Sequence, residues 1–401
     1  MALVLDRRTE VDEDSGLHVL LVGVSHYPHL PETPPPADAG PPDFGLRSLS
    51  SPSITAYRLY EWLLERQDFL PVPLATIRLL LSPSQRELDA EPELNTVGAG
   101  SATMQDFAQA VSDWRADARA HPDGMTWLYY GGHGLQRNRE EAILTLQDFG
   151  DGVGGSLSKT VQLRHVINGM APTADGPQHS VARRQIYFSD ACREAPLALR
   201  DYERMSTGTV FDVPLGGEDD RAVPVFYATY GGARAWGRRG TVSNFGEALL
   251  HALMVAADRE TDARWSVRVY DLHEGIAAYL EEHYGHVEGL TQEVVLGGQN
   301  TDNLVLHTLD TPPEVGVDIW VDPAGARDVA RLQLVNLVDE AGIQHQWGPP
   351  LDAQPLHLTL PAGMYRVQAD IVPPTDAFHG ATTHDYVRPP HRTWTLDLQS
   401  P

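Results

Sequence analysis

One thiol and one imidazole stand out because each closes an apolar run that reads as a buried strand. Cys192, the only cysteine among 401 residues, ends the run from Gln185 through Ile186, Tyr187, Phe188, Ser189, Asp190 and Ala191. His133 follows Met125 to Tyr130 and two glycines, Gly131 and Gly132, and is itself followed by Gly134. In open α/β sheets reacting groups gather at the carboxyl ends of strands, where loops leave the sheet. A lone cysteine is more often a small core hydrophobe, yet Asp190, Arg193 and Glu194 form a polar flank unsuited to a core position. An imidazole that takes the thiol proton leaves a thiolate able to attack a carbonyl carbon. Cys192 is therefore expected as nucleophile and His133 as general base, then as acid to the leaving amine. The N–H groups of Gly134 and Cys192 are the expected oxyanion donors, and losing one such donor typically costs about 3 kcal/mol of barrier stabilisation.

Other polar clusters point elsewhere. His273, His283 and His286 do not form the His-Glu-x-x-His pattern of a zinc site. The glycines around Gly98 and Gly152 lack the following Lys-Ser/Thr of a phosphate loop. Neither a metal nor a cofactor is expected. A net charge of -25 disfavours nucleic acid and anionic membranes as partners, and Lys159 is the only lysine. No apolar run has the length of a signal peptide or a membrane span. An unpaired cysteine suits a reducing cytoplasm, the expected location.

The elements that must carry the pair read as an α/β fold. Leu17 to Val24 is a continuous apolar run, as in a central parallel strand covered on both faces. Ser53 to Glu65 and Ala102 to Ala120 show helical spacing of apolar residues. Ala75 to Leu81, the two runs above and Val223 to Thr229 read as strands, with helices expected at Thr160 to Met170, Asn244 to Ala257 and Val267 to Tyr284. This alternation implies a mostly parallel sheet flanked by helices on both faces. Beyond Asp310 the period becomes two, with Val317, Ile319 and Val321 and later Tyr365, Val367 and Ala369 alternating, which predicts a small C-terminal antiparallel β-sandwich. The expected division is a tail over 1–16, a catalytic domain over 17–309 and the sandwich over 310–401. Within the catalytic domain, 17–193 and 223–309 flank a linker loop over 194–222.

A strand entering Gly-His-Gly, then a strand ending in Asp-Ala-Cys 59 residues later, resembles the caspase-like cysteine peptidases, including metacaspases and related bacterial enzymes. Caspases carry Gln-Ala-Cys with the histidine about 50 residues upstream. Val223 to Gly232 resembles the first strand of the small-subunit half, and Asn244 to Leu250 its following helix. The resemblance covers roughly Leu17 to His307 and implies a Cys-His endopeptidase acting on protein or peptide substrates. Caspases hold a substrate aspartate with two arginines and a glutamine. Alignment puts Leu49 near the first arginine position and Gly237 at the second, with Arg47 and Arg238 close by, and Asp190 at the glutamine. Asp190 matches the acidic pocket residue of metacaspases, which implies cleavage after Arg or Lys, because a partly desolvated carboxylate pairs best with a cation. A local loop cap is the other reading of Asp190. The second metacaspase pocket aspartate is Thr55 here. Tyr230, Ala235 and Trp236 lie where the family contacts substrate. Arg200, Arg204 and Arg221 in the linker become candidate processing sites, cut by the enzyme itself or by an upstream protease. By family analogy the enzyme acts in bacterial defence or regulated cell death. The alternative is a non-catalytic scaffold or binding module working through the sandwich.

Overall fold

A computed structural model describes the chain except residues 1, 13–14, 32–43, 137–140, 174–179, 194–205, 212–217, 231–236, 238, 260–263, 288–291, 302, 338–342, 352–354 and 400–401. Two compact units are formed, Met1–Leu250 with Leu280–Leu304, and His251–Tyr279 with Val305–Pro401.

In the first unit, β1 (Leu3–Asp6), β2 (Leu17–Val24), β3 (Leu74–Ser82), β4 (Met125–Gly132), β8 (Arg184–Ala191), β9 (Val223–Tyr227) and β12 (Val295–Gln299) build one sheet in the order β1-β3-β2-β4-β8-β9-β12. The five inner strands are parallel, while β1 and β12 run antiparallel at the edges. β2, β3 and β4 are buried at every position, which is why their sequences run apolar without alternation. α3 (Met104–Ala120) lays Phe107, Ala110, Val111 and Trp114 against Leu20, Val22 and Leu128. α1 (Pro52–Glu65) covers the opposite face, stacking Trp62 on Trp127. Burying each such side chain contributes about 1.5–3 kcal/mol. The short helix α2 (Gln85–Ala90) opens on a capping box made by Ser84 and Glu87. A small sheet of β5 (Gly134–Leu135), β6 (Ile143–Thr145) and β7 (Thr160–Gln162) follows the β4 strand end, and α4 (Leu163–Gly169) comes next.

The expected helix from Thr160 is thus a strand and then a helix. Thr160 and Val161 are β-branched and pair with Thr145 and Leu144, so tertiary pairing decides their state. The helix expected from Val267 likewise begins only at Val269. Its first residues belong to β11 (Trp265–Arg268), which pairs with β10 (Ala257–Arg259) and β13 (Val305–Leu309). α5 (Asn244–Val255) and α6 (Val269–Tyr284) are the helices where the chain passes between the two units.

The second unit carries two further sheets, β17-β14-β20 and β16-β15-β18-β19. Their strands are β14 (Glu314–Asp322), β15 (Ala330–Asn336), β16 (Ile343–Trp347), β17 (Leu356–Pro361), β18 (Gly363–Ile371), β19 (Ala381–Val387) and β20 (His391–Asp397). Val315, Val317, Ile319 and Val321 are buried and alternate with half-buried or exposed neighbours, the predicted period of two. One pairing departs from expectation: β14 and β20 run parallel, with Ile319 beside Trp394. Alternation fixes which face a residue occupies and is silent on strand direction.

Candidate active site

The β4–β8 register places Gly131 beside Asp190 and Gly132 beside Ala191. His133 and Cys192 are the next residues along, each directly after the carboxyl end of one of these two adjacent parallel strands. Cys192 is half-buried and forms no disulfide. His133 is buried, and its surroundings fix both its backbone and its ring. Its N–H donates to the Tyr27 hydroxyl at 3.0 Å, and its carbonyl accepts from Thr145 N–H at 3.1 Å. The Tyr27 and His133 rings lie 5.2 Å apart between centroids. On the ring, Nε2 lies 2.6 Å from the carbonyl oxygen of Arg47. A carbonyl only accepts, so Nε2 carries the proton and Nδ1 is left as the basic nitrogen. Burial pushes the Tyr27 phenol up to about 12, and negative charge at Cys192 pushes it the same way. Tyr27 therefore stays a neutral support for the histidine.

Gly134 lies against the Cys192 backbone: a β-carbon there would fall 2.1 Å from the Cys192 carbonyl oxygen. Only glycine permits that approach. Because Thr145 N–H bonds to the His133 carbonyl, the 134–144 pair is a non-hydrogen-bonded one, which keeps Gly134 N–H out of the β5–β6 ladder. Beyond Cys192, the Arg193 guanidinium lies 4.8 Å from the Tyr227 ring centre, tying the departing chain to β9.

Asp190 is 5 % exposed. Its Oδ2 accepts from the Tyr129 hydroxyl at 2.7 Å and from the Ser243 hydroxyl. Ser243 precedes α5, where its Oγ accepts from Gly246 N–H at 2.9 Å and its own N–H donates to Thr55 Oγ1 at 3.0 Å. Thr55 sits in the first turn of α1. A buried polar cluster thus joins β4, β8, α1 and the start of α5 around one carboxylate. Its partners are hydroxyls, with no cation among the described residues. Burial raises the Asp190 carboxyl to about 6, against the hydrogen bonds of Ser243 and Tyr129 that lower it. Asp190 does not cap its own loop: among the described residues its hydrogen bonds go to β4 and the start of α5.

Gly237 bridges to Ser243, and a β-carbon on it would come 2.9 Å from Ser51 Oγ. Tyr230 is exposed at the end of β9. Ala235, Trp236, Arg200, Arg204 and Arg238 lie outside the described residues. Arg221 requires a correction as a processing site, being 1 % exposed. Its guanidinium donates to Gln185 Oε1 at 2.8 Å and to the Ile167 carbonyl at 2.9 Å, and pairs with Asp219. No protease reaches that bond without unfolding the segment. Another linker piece is docked as well. Gly208 N–H donates to the Thr160 carbonyl at 2.7 Å, and Phe211 packs on Gly169 beneath the Arg115 guanidinium.

A family profile described as the caspase domain matches residues 18–291. The chain belongs to the caspase-domain family. No curated protein matches it. Among solved structures, the caspase-1 of Spodoptera frugiperda aligns at 10 % identity and a TM-score of 0.39, covering 74 % of this chain and 92 % of that one. This caspase-domain chain has the mostly parallel, helix-flanked sheet of a cysteine peptidase, a class that acts on protein substrates. Among the described residues, no group of three or more His, Cys, Asp or Glu is placed to hold a metal ion. No helix among them is long and apolar enough to cross a membrane.

Tyr27, the Arg47 carbonyl, Tyr129 and Ser243 are functional neighbours that the sequence alone does not single out. Ser243, just before Asn244, had one available signal, a serine in the position of a helix N-cap.

Proposed function

We propose that the chain is an endopeptidase that cleaves proteins after Arg or Lys through a Cys192–His133 dyad. The observation that carries this reading is Asp190, a buried carboxylate two residues before Cys192 whose described partners are neutral hydroxyls. A substrate guanidinium or ammonium would supply the missing counter-charge, and a substrate aspartate would be repelled. In the reaction His133 Nδ1 takes the Cys192 proton and the thiolate attacks the scissile carbonyl. The N–H groups of Gly134 and Cys192 hold the oxyanion, and the histidine proton passes to the leaving amine. Water then releases the acyl group from sulfur. Tyr230, Ala235 and Trp236 are proposed to contact substrate beyond the pocket.

Activation by cutting the linker at Arg200 or Arg204, by the enzyme itself or by an upstream protease, belongs to the same proposal. Phe211 and Arg221 would hold the linker on its downstream side after such a cut. A cytoplasmic role in bacterial defence or regulated cell death follows from family analogy. The test uses fluorogenic peptides ending in Arg, Lys or Asp, with Cys192→Ala as control. Release from Arg and Lys peptides that disappears in Cys192→Ala is expected. Turnover of Asp peptides alone overturns the pocket assignment, and no Cys192-dependent turnover before or after linker nicking puts the scaffold reading ahead.

A further inference from the structure

Glu87 is a charged residue with no exposed surface and no role in the chemistry above. It closes the capping box of α2, where Oε2 accepts from Ser84 N–H and from the Ser84 hydroxyl, each at 2.8 Å. Such boxes are complete with one carboxylate oxygen. Here the second oxygen is also engaged: Oε1 accepts from Ser25 Oγ at 2.8 Å, Ser53 N–H at 3.1 Å and Ile54 N–H at 3.3 Å. The last two belong to the first turn of α1, whose unpaired N–H groups favour an anion. Burial raises the Glu87 carboxyl while these bonds lower it. Five donors from three segments converge on one side chain, and only a carboxylate can accept from all of them.

Ser25 is the link outward. It follows β2 directly, and its carbonyl accepts from Leu49 N–H at 2.6 Å. Two residues before Leu49 stands Arg47, whose carbonyl lies 2.6 Å from His133 Nε2. Two residues after Ser25 stands Tyr27, whose N–H donates to Ser48 Oγ at 3.0 Å and whose hydroxyl accepts from His133 N–H. The ring clamp and the backbone clamp on His133 therefore hang from two loop segments, 25–27 and 47–49, that are joined at Ser25 and again at Tyr27, and Ser25 is where they reach Glu87. We infer that Glu87, through Ser25, is a positioning residue for His133: it anchors the loops that aim the imidazole at Cys192 without touching substrate. The inference rests on the Cys192–His133 reading.

The test reads the thiol itself. Cys192 is the only cysteine, so iodoacetamide alkylation reports its thiolate fraction alone, independently of any substrate. Glu87→Gln sets an NH2 group among donors, and Ser25→Ala removes the link while leaving the α2 box intact. Both are expected to move the alkylation pH profile toward higher pH and to slow labelling at pH 7 about tenfold, with the double variant no worse than the stronger single one. Ser25→Ala decides the matter where Glu87→Gln does not fold. A folded Ser25→Ala whose profile superimposes on the wild type overturns the inference, whatever its melting temperature. A His133→Ala profile identical to the wild type overturns the dyad reading, and the inference with it.

Discussion

At the scale of residues, Asp190 sets function against stability. Its carboxyl is raised to about 6 from an ordinary 3.8 because burial disfavours the charged form. The folded state therefore binds this proton more tightly than the unfolded chain. The stabilisation is complete below 3.8 and is lost as pH rises through about 6. Asp190→Asn should consequently stabilise the protein at pH 7, by up to about 3 kcal/mol, readable by chemical denaturation. The same change should cost about tenfold to a hundredfold in kcat/KM on Arg peptides, since hydrogen bonds to charged groups contribute about 1.5–3 kcal/mol. On the proposed cleavage after Arg or Lys, ionised Asp190 pairs with the substrate cation, so the ratio of kcat/KM for Arg over its uncharged isostere citrulline should rise with pH through about 6. Taking that ratio cancels the titration of Cys192 and His133, which both substrates share. A flat ratio, or a less stable Asn variant, would place Asp190 outside the substrate pocket.

At the scale of elements, the carboxylate is aimed by how closely two helices approach. A β-carbon on Gly246 of α5 would fall 2.1 Å from Thr55 Cγ2 on α1 and 2.8 Å from Ser243 Oγ. Gly246→Ala must push the start of α5 away from α1 and draw Ser243 off Asp190. A loss of Arg-peptide turnover larger than the accompanying loss of stability is expected. Thr55→Ser removes the clashing methyl and keeps the hydroxyl that accepts from Ser243 N–H. Added to Gly246→Ala, it should restore part of the activity, a non-additivity read in a double-mutant cycle. Simple additivity of the two changes would refute a shared contact. This contact also marks the limit of what the chain reveals by itself. The strands that lead to His133 and Cys192 were legible because each run is apolar enough for an inner strand. Tyr129 and Ser243 were not legible as partners of Asp190, nor Thr55 as the partner of Ser243, because the sequence separations are long and the bonds exist only once strands and helices are assembled. The parallel β14–β20 pair was hidden for a related reason, since period two marks faces and carries no direction.

At the scale of the whole molecule, the two ends of the central sheet respond to acid through different groups. Opposite the Cys192 end, His18 near the start of β2 is fully buried, with Nδ1 2.8 Å from Thr76 Oγ1 and Nε2 2.9 Å from His121 Nδ1. Its carbonyl accepts from Trp114 Nε1 of α3 at 3.0 Å, so β2, β3 and α3 meet at this residue. Burial lowers its pKa from 6.5 to about 3, with His121, Arg78 and Arg8 acting in the same direction. The unfolded chain thus takes up this proton first, and the stability His18 contributes above pH 6.5 is lost as pH falls toward about 3. The loss is at most about 1.4 kcal/mol per pH unit. Glu87 and Asp190, whose pKa values are raised, act in the opposite sense and flatten the total curve. The His18 contribution is therefore isolated as a difference. The wild-type unfolding free energy minus that of His18→Gln, measured at pH 7.5, 6 and 5, should fall steadily as pH falls, whatever its sign at pH 7.5. Curves that stay parallel would show that His18 does not carry the acid response. The Arg-to-citrulline ratio, which reports the carboxyl end of the sheet, should be unchanged in His18→Gln, because the two networks share no hydrogen bond among the described residues.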